Sequence, residues 1–253
     1  MTALSAETVS KRFGGLIALN DVSVRIVAGE VRGLIGPNGS GKTTLLNVLN
    51  GYYTANSGRI LLGRQNLTGQ SVQARAQCGI ARTFQKPRLL ESLTVLDNCM
   101  LGTWPNIRAG FVETGLSLPR ARCQERKARD RAMSLLRGVG LGYAIDRRAS
   151  DLEHAEQRFL EIARALCMQP RFILLDEPAG GLTFMEIDAL ADVIQAIRRQ
   201  GIGVLLVEHH TDFVFRICNT VTALHLGRII ADGRPEDVRK DPEVVRVYLG
   251  DGV

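Results

Sequence analysis

The segment GPNGSGKTT, Gly36 to Thr44, constrains this chain more than any other. It fits the spacing G-x-x-x-x-G-K-[ST] through Gly36, Gly41, Lys42 and Thr43, with Pro37, Asn38, Gly39 and Ser40 between and Thr44 after. The β-rich run EVRGLI precedes it, and the apolar-periodic run TTLLNVLN follows it. That order, strand then glycine-rich turn then helix, separates it from a turn that shares only the letters. Glycines let the backbone wrap close to phosphate oxygens with its N–H groups pointing inward, and the helix N-terminus adds positive potential. Lys42 is placed to reach the β- and γ-phosphates of a nucleotide, and the Thr43 hydroxyl to ligate Mg²⁺. A nucleotide site follows.

The second chemical signal is FILLDEP, an apolar run that ends in Asp176 and Glu177. In open parallel sheets ligands sit beyond the carboxyl ends of the strands, where such acids are delivered. Asp176 is then a candidate for Mg²⁺, directly or through water, and Glu177 for polarising the attacking water. Alone, an acidic pair after an apolar strand is more often a cap on the next helix. Beside a phosphate cradle it makes a hydrolytic site.

The segments between these landmarks define the fold class. VSVRIV, EVRGLIG and RILLG read as strands, and the stretch from Pro87 to about Gln157 is helix-rich, with breaks at Trp104-Pro105, Gly110 and Pro119. After it FILLD, MEIDALADVIQAIRRQ, GVLLVE, TDFVFRIC and TVTALHL alternate strand and helix, as in a parallel sheet. The expectation is an α/β fold with a nucleotide-binding core at 1–86 and 158–253 and an inserted helical subdomain at 87–157. With 253 residues, 45% of them hydrophobic, the chain has enough apolar material for one sizeable core. No run approaches the roughly 18 apolar residues of a membrane span, and MTALSAETVSKRF lacks the pattern of a signal peptide, so a cytoplasmic location is expected. Cys78, Cys99, Cys123, Cys167 and Cys218 are scattered, with no C-x-x-C pair, and read as reduced small hydrophobes. The net charge of +6 permits nucleic acid, an anionic membrane or phosphate as partner. In the densest basic segment, PRARCQERKARDRA, Glu125 and Asp130 interleave with the arginines and no aromatic residue joins them. A solvated helix face is the reading there, and no nucleic-acid partner is expected.

Taken with GPNGSGKTT and ILLDEP, three further segments make the chain resemble the ATP-binding subunit of an ABC transporter over essentially its whole length. GIARTFQKPRLLESLTVLDN resembles the family's Q-loop region, which implies that Gln85 senses Mg²⁺ and the attacking water. LVEHH resembles the strand end carrying the switch histidine, which implies that His209 contacts the γ-phosphate. QRFLEIARAL is very close to the family's signature helix. Phe13 of KRFGG stands where the family carries an aromatic that stacks on adenine; a core phenylalanine is the alternative. AGGLT resembles the loop after DEP, without the aspartate common there. The resemblance implies a P-loop NTPase fold with a mainly parallel core sheet, an antiparallel β subdomain and a helical subdomain, using ATP and Mg²⁺. It also implies a second ATPase subunit, two transmembrane permease subunits, an extracytoplasmic solute-binding protein, and a place on the inner face of the plasma membrane.

The departure from the family pattern falls at the signature. Two such ATPases pair head to tail, and each signature helix points at the γ-phosphate held by its partner. Here Glu153, His154, Ala155 and Glu156 stand in that motif, with Glu153 in the serine's place, Ala155 in a glycine's and Glu156 in the glutamine's. A carboxylate at about 4 Å from a phosphate charge meets roughly 1 kcal/mol of repulsion in water and about 4 at an effective dielectric of 20. Alternatively, the acids serve their own helix dipole and the loop relaxes outward. The expectation is a heterodimer with unequal sites. KRFGGLIALNDVS, TFQKPRLLESLTVLDN, AGGLT, EHH and PEDVRKDPEVVRVYLG resemble the members serving branched-chain amino acids and related amides or urea. Its Val244, Val245, Val247 and Tyr248 supply a docking helix. A soluble ABC ATPase acting on nucleic acid or ribosomes, a small-molecule kinase and a non-catalytic nucleotide sensor are the rival readings.

Overall fold

The computed structural model describes residues 2–103 and 119–249. The breaks expected at Trp104-Pro105 and Gly110 lie outside those residues. The chain divides into two compact units, Met1–Gln85 with Arg171–Gly180 and Ile187–Val253, and Lys86–Pro170 with Gly181–Glu186.

The first unit holds two sheets. A long antiparallel hairpin, β1 (Ala3–Phe13) with β2 (Leu16–Val27), joins β4 (Ser57–Leu62) and the short β5 (Gln65–Asn66) in the order β2-β1-β4-β5. The other sheet runs β10-β9-β3-β8-β7-β6, from β3 (Val31–Ile35), β6 (Ile80–Arg82), β7 (Phe172–Asp176), β8 (Gly203–Val207), β9 (Thr220–His225) and β10 (Arg228–Gly233). Its pairs are parallel except β9 with β10. Every residue of VRGLI, FILLD and GVLLV is buried, as a sheet covered on both faces requires. Leu34, Phe172, Leu174, Leu205 and Val207 from this sheet share one core with Leu4, Val22 and Ile26 of the hairpin and Leu45 and Leu49 of α1 (Lys42–Asn50).

Central β3, with β8 and β9 on either side, ends where the glycine-rich loop begins, and the loop feeds α1. From within α2 (Val72–Gln77), the fully buried Arg75 donates to the carbonyls of Val48, Leu49 and Leu67 at 2.6, 2.8 and 2.9 Å. The first two bonds go to carbonyls in the last turn of α1, which a helix leaves open at its C-terminus, and the third ties in the segment after β5.

The second unit is helical: α3 (Val95–Leu101), α4 (Pro119–Gly138) and α5 (His154–Cys167) pack together. Thr94 caps α3, accepting the Asp97 N–H at 3.0 Å. Gly102 lets α3 approach α5 closely, since a Cβ there would sit 1.9 Å from the Arg164 carbonyl oxygen. The boundary drawn at residue 157 from the sequence falls inside α5, and residues 158–170 group with the helical unit. The cause is that α5 buries Phe159, Leu160, Ile162, Ala163 and Leu166, an apolar face that α3 and α4 cover. The five cysteines are free; Cys99, Cys167 and Cys218 are buried and Cys123 is exposed. Among the described residues no helix is long and apolar enough to cross a membrane. Four more helices follow among the described residues: α6 (Phe184–Arg199), α7 (Thr211–Ile217), α8 (Pro235–Lys240) and α9 (Pro242–Leu249).

Candidate nucleotide site

A cleft of about 330 Å³ opens in the first unit, lined by Asn38 to Thr44 on one side and by Glu177 and His209 on another. Phe13, Leu16, Ile17 and Leu226 form an apolar lip on it. The loop can take this path only because of its glycines. At Gly36 φ is +153° and an added Cβ would lie 2.1 Å from the Leu224 carbonyl oxygen; at Gly41 φ is +109° and the Cβ would meet the Ala18 oxygen at 2.6 Å. Gly41 is also the N-cap of α1, with no side-chain cap, so the first-turn N–H groups stay available to a ligand. Ser40 adds a buried hydroxyl with no hydrogen-bond partner among the described residues.

Lys42 folds back over the loop, its Nζ donating to the carbonyls of Gly36 at 2.7 Å and Pro37 at 3.0 Å. Burial holds its pKa below the ordinary lysine value, while the nearby carboxylates of Glu177 and Asp176 pull the other way. The cleft is therefore a place where an ammonium lacks solvation and a phosphate would restore it.

Glu177 stands at the centre of the acid side. Its backbone N–H donates to the Val207 carbonyl at 2.9 Å, tying the end of β7 to β8, and its φ of +48° is uncommon for a side-chain-bearing residue. Gln85 donates through Nε2 to Glu177 Oε2 at 2.7 Å, and His209 Nε2 meets Glu177 Oε1 at 2.6 Å. Asp176 is buried; its Oδ2 accepts from Arg82 at 2.8 Å, and Arg82 also donates to Asn47 Oδ1 at 2.5 Å. One Asp176 oxygen and the Thr43 hydroxyl remain as hard oxygen donors of the kind Mg²⁺ takes, so the residues present fit that ion.

Phe13 is 40% exposed, which removes it from the core. Its ring stands edge-on to Tyr53 with centroids 5.1 Å apart, and the Lys11 ammonium lies 5.0 Å from its centroid. Gly36, Pro37, Gln85 and Asp176 do not line the cleft wall; the first two hold Lys42 and Gln85 holds Glu177, while Asp176 is paired with Arg82 behind it. The signature residues belong to the helical unit. Glu153 is the N-cap of α5 and forms a capping box with Glu156, whose carboxylate accepts the Glu153 N–H at 2.7 Å. The Tyr143 hydroxyl donates to Glu156 as well. The two acids cap their own helix. Arg82, Asn47 and Glu208 had no part in the sequence reading. Arg82 lies within GIARTFQ and Glu208 within LVEHH, but nothing in their spacing announces a partner far along the chain.

A glycine-built phosphate cradle, a lysine across it and an acid pair at a neighbouring strand end define a nucleotide-binding cassette, and the chain belongs to the ABC transporter family, whose model matches residues 19–180. It is an ATPase of that family. A second model, "Branched-chain amino acid ATP-binding cassette transporter", matches residues 228–253. The chain is 39% identical to the high-affinity branched-chain amino acid transport ATP-binding protein LivG of Escherichia coli K12, over 98% of each. It is 36% identical to the corresponding protein BraF of Pseudomonas aeruginosa, again over 98% of each. Among solved structures it superposes on the ADP conformation of MJ1267, an ATP-binding cassette of an ABC transporter. The TM-score is 0.86 at 31% identity, covering 99% of this chain and 100% of that one.

Proposed function

We propose that this chain energises import of branched-chain amino acids by binding and hydrolysing Mg·ATP at the cleft between Lys42 and Glu177. The observation that carries the chemistry is Glu177 held by Gln85 at 2.7 Å and His209 at 2.6 Å on the wall of the cleft that Lys42 also lines. A carboxylate fixed by two partners is a general base with a set direction, and hydrolysis by in-line attack needs positioning more than covalent chemistry. Lys42 and the loop N–H groups hold the phosphates, Phe13 offers a flat apolar surface to the base, and His209 meets the terminal phosphate. Asp176 and Thr43 would hold Mg²⁺, which when bound supplies positive charge that offsets the phosphate oxygens.

The solute assignment is supported by the names of the whole-length relatives and by the family of the C-terminal segment. The segments that carry the family likeness do not read the solute; two permease subunits and an extracytoplasmic binding protein supply its site, with the cassette on the inner membrane face. The helical segment at 87–157 faces those subunits. The second ATPase subunit is a different chain with an intact signature, because this one has Glu153 in the serine's place and Ala155 in a glycine's, which leaves a partner's phosphate without the hydroxyl it would bind. The test is ATPase of the assembled complex, reconstituted with its binding protein, screened with leucine, isoleucine, valine, amides and urea. Stimulation by the three branched-chain amino acids is expected; stimulation by urea or amides alone overturns the solute assignment.

A further inference from the structure

Glu208, the residue between β8 and His209, is 1% exposed and makes no ion pair with a lysine or arginine among the described residues. Its two oxygens are taken by backbone donors instead. Oε1 accepts the Ala179 N–H at 2.6 Å, and Oε2 accepts the His209 N–H at 3.1 Å. Burial raises its pKa, against the pull of the N–H groups of Ala179, His209 and His210 and of the nearby His210 side chain. A carboxylate in such a place is costly, and a threonine or serine hydroxyl could satisfy one N–H without that cost. What one hydroxyl cannot do is bridge two separate chain turns with two charge-assisted bonds.

The two turns it bridges are the ones that carry the reacting pair. Ala179 lies two residues after Glu177, and His209 follows Glu208 directly. Above the bridge, the side chains of Glu177 and His209 meet at 2.6 Å. Between the two turns run the Glu177 N–H bond to Val207 at 2.9 Å and the carboxylate of Glu208. We infer that Glu208 is a positioning residue: its carboxylate ties the backbone after Glu177 to that of His209 and so fixes the distance and angle at which their side chains meet. The inference rests on the roles proposed above for Glu177 and His209. It adds to them a structural cause for the pair's geometry that lies outside the cleft, since Glu208 does not line it.

The isosteric change Glu208→Gln keeps the volume but leaves a single acceptor, so one of the two N–H groups must face an amide NH₂. The full-length chain, assembled with its membrane subunits, is compared as wild type, Glu208→Gln, His209→Ala and the double variant. Turnover with Mg·ATP and affinity for Mg·ADP are read for each. Misplacing a catalytic group by a fraction of an ångström costs about tenfold or more, so Glu208→Gln should lower kcat by at least about tenfold with KM for ATP nearly constant. Mg·ADP affinity should stay within about twofold, because the cradle is untouched, and in the His209→Ala background Glu208→Gln should change turnover by less than about twofold. Wild-type kcat in Glu208→Gln overturns the inference, as do losses that multiply in the double variant or a parallel fall in Mg·ADP affinity. Wild-type turnover in His209→Ala would show instead that the catalytic assignment fails, and the positioning role with it.

Discussion

Arg82 and Asp176 form an ion pair at 2.8 Å between the edge strand β6 and the end of β7, with each side chain only 6% exposed. Through its other nitrogen Arg82 reaches Asn47 on α1, one turn beyond Thr43. One guanidinium therefore links the helix that leaves the phosphate loop to the acid proposed for Mg²⁺. Arg82 also stacks near the Phe84 ring, 5.2 Å from its centroid.

Removing one partner from a buried pair leaves the other charge uncompensated, which costs about 3–5 kcal/mol. Arg82→Gln should lower unfolding stability by that order in urea titration. Arg82→Gln combined with Asp176→Asn should recover part of it. A single variant as stable as wild type would mean that the pair carries no structural weight.

Glu177→Gln keeps the shape of the side chain and its contact with Gln85 but removes the base. General-base catalysis contributes about 10²–10⁴-fold, so turnover should fall by at least about a hundredfold while Mg·ATP still binds. Equilibrium binding and steady-state phosphate release on the same preparation check both halves. Retained turnover would remove Glu177 from the mechanism.

The depressed pKa of Lys42 has a signed consequence. In the free chain burial favours the neutral amine, whereas bound phosphate favours the ammonium. Above the depressed pKa, binding must take up a proton, so Mg·ATP affinity falls as pH rises through it. Calorimetry from about pH 7 to about pH 10 should show that fall at a lower pH than an ordinary lysine near 10.4 would give. Lys42→Arg, charged throughout, should bind more weakly but with a flat profile. A flat wild-type profile contradicts the argument.

At the start of α5, Glu156→Ala removes half of the capping box and should cost about 1 kcal/mol in thermal or urea unfolding. Glu153→Ser with Ala155→Gly moves the segment toward the family's signature, and ATP turnover of the complex should be equal or higher. Abolished turnover would make Glu153 a necessary contact and sink the proposal of unequal sites.

The parts legible in the sequence share a physical reason. The loop Gly36 to Thr44 shows itself because close backbone approach admits few residue types. The strands β3, β7 and β8 show themselves because burial on both faces leaves uninterrupted apolar runs. β1 was not legible, since ALSAETVSKRF mixes polar and apolar residues and pairs on both sides with irregular register. Three-residue β6 is too short to carry a pattern. Arg82 and Glu208 escaped for another reason: a charged residue's role depends on its partners, and these lie 94 and 29 positions away. The family resemblance located Glu153 and Glu156, but their capping of α5 depends on the φ of −68° and ψ of 164° at Glu153 and on the bond to its N–H, which no residue pattern states.

Both carboxylate oxygens of Glu177 already have protein partners, Gln85 on one and His209 on the other. Each oxygen keeps a second lone pair, so a newcomer can dock without evicting either neighbour. With both tethers in place the carboxylate has little freedom to swing, and the direction from which a third partner can arrive is settled before it comes.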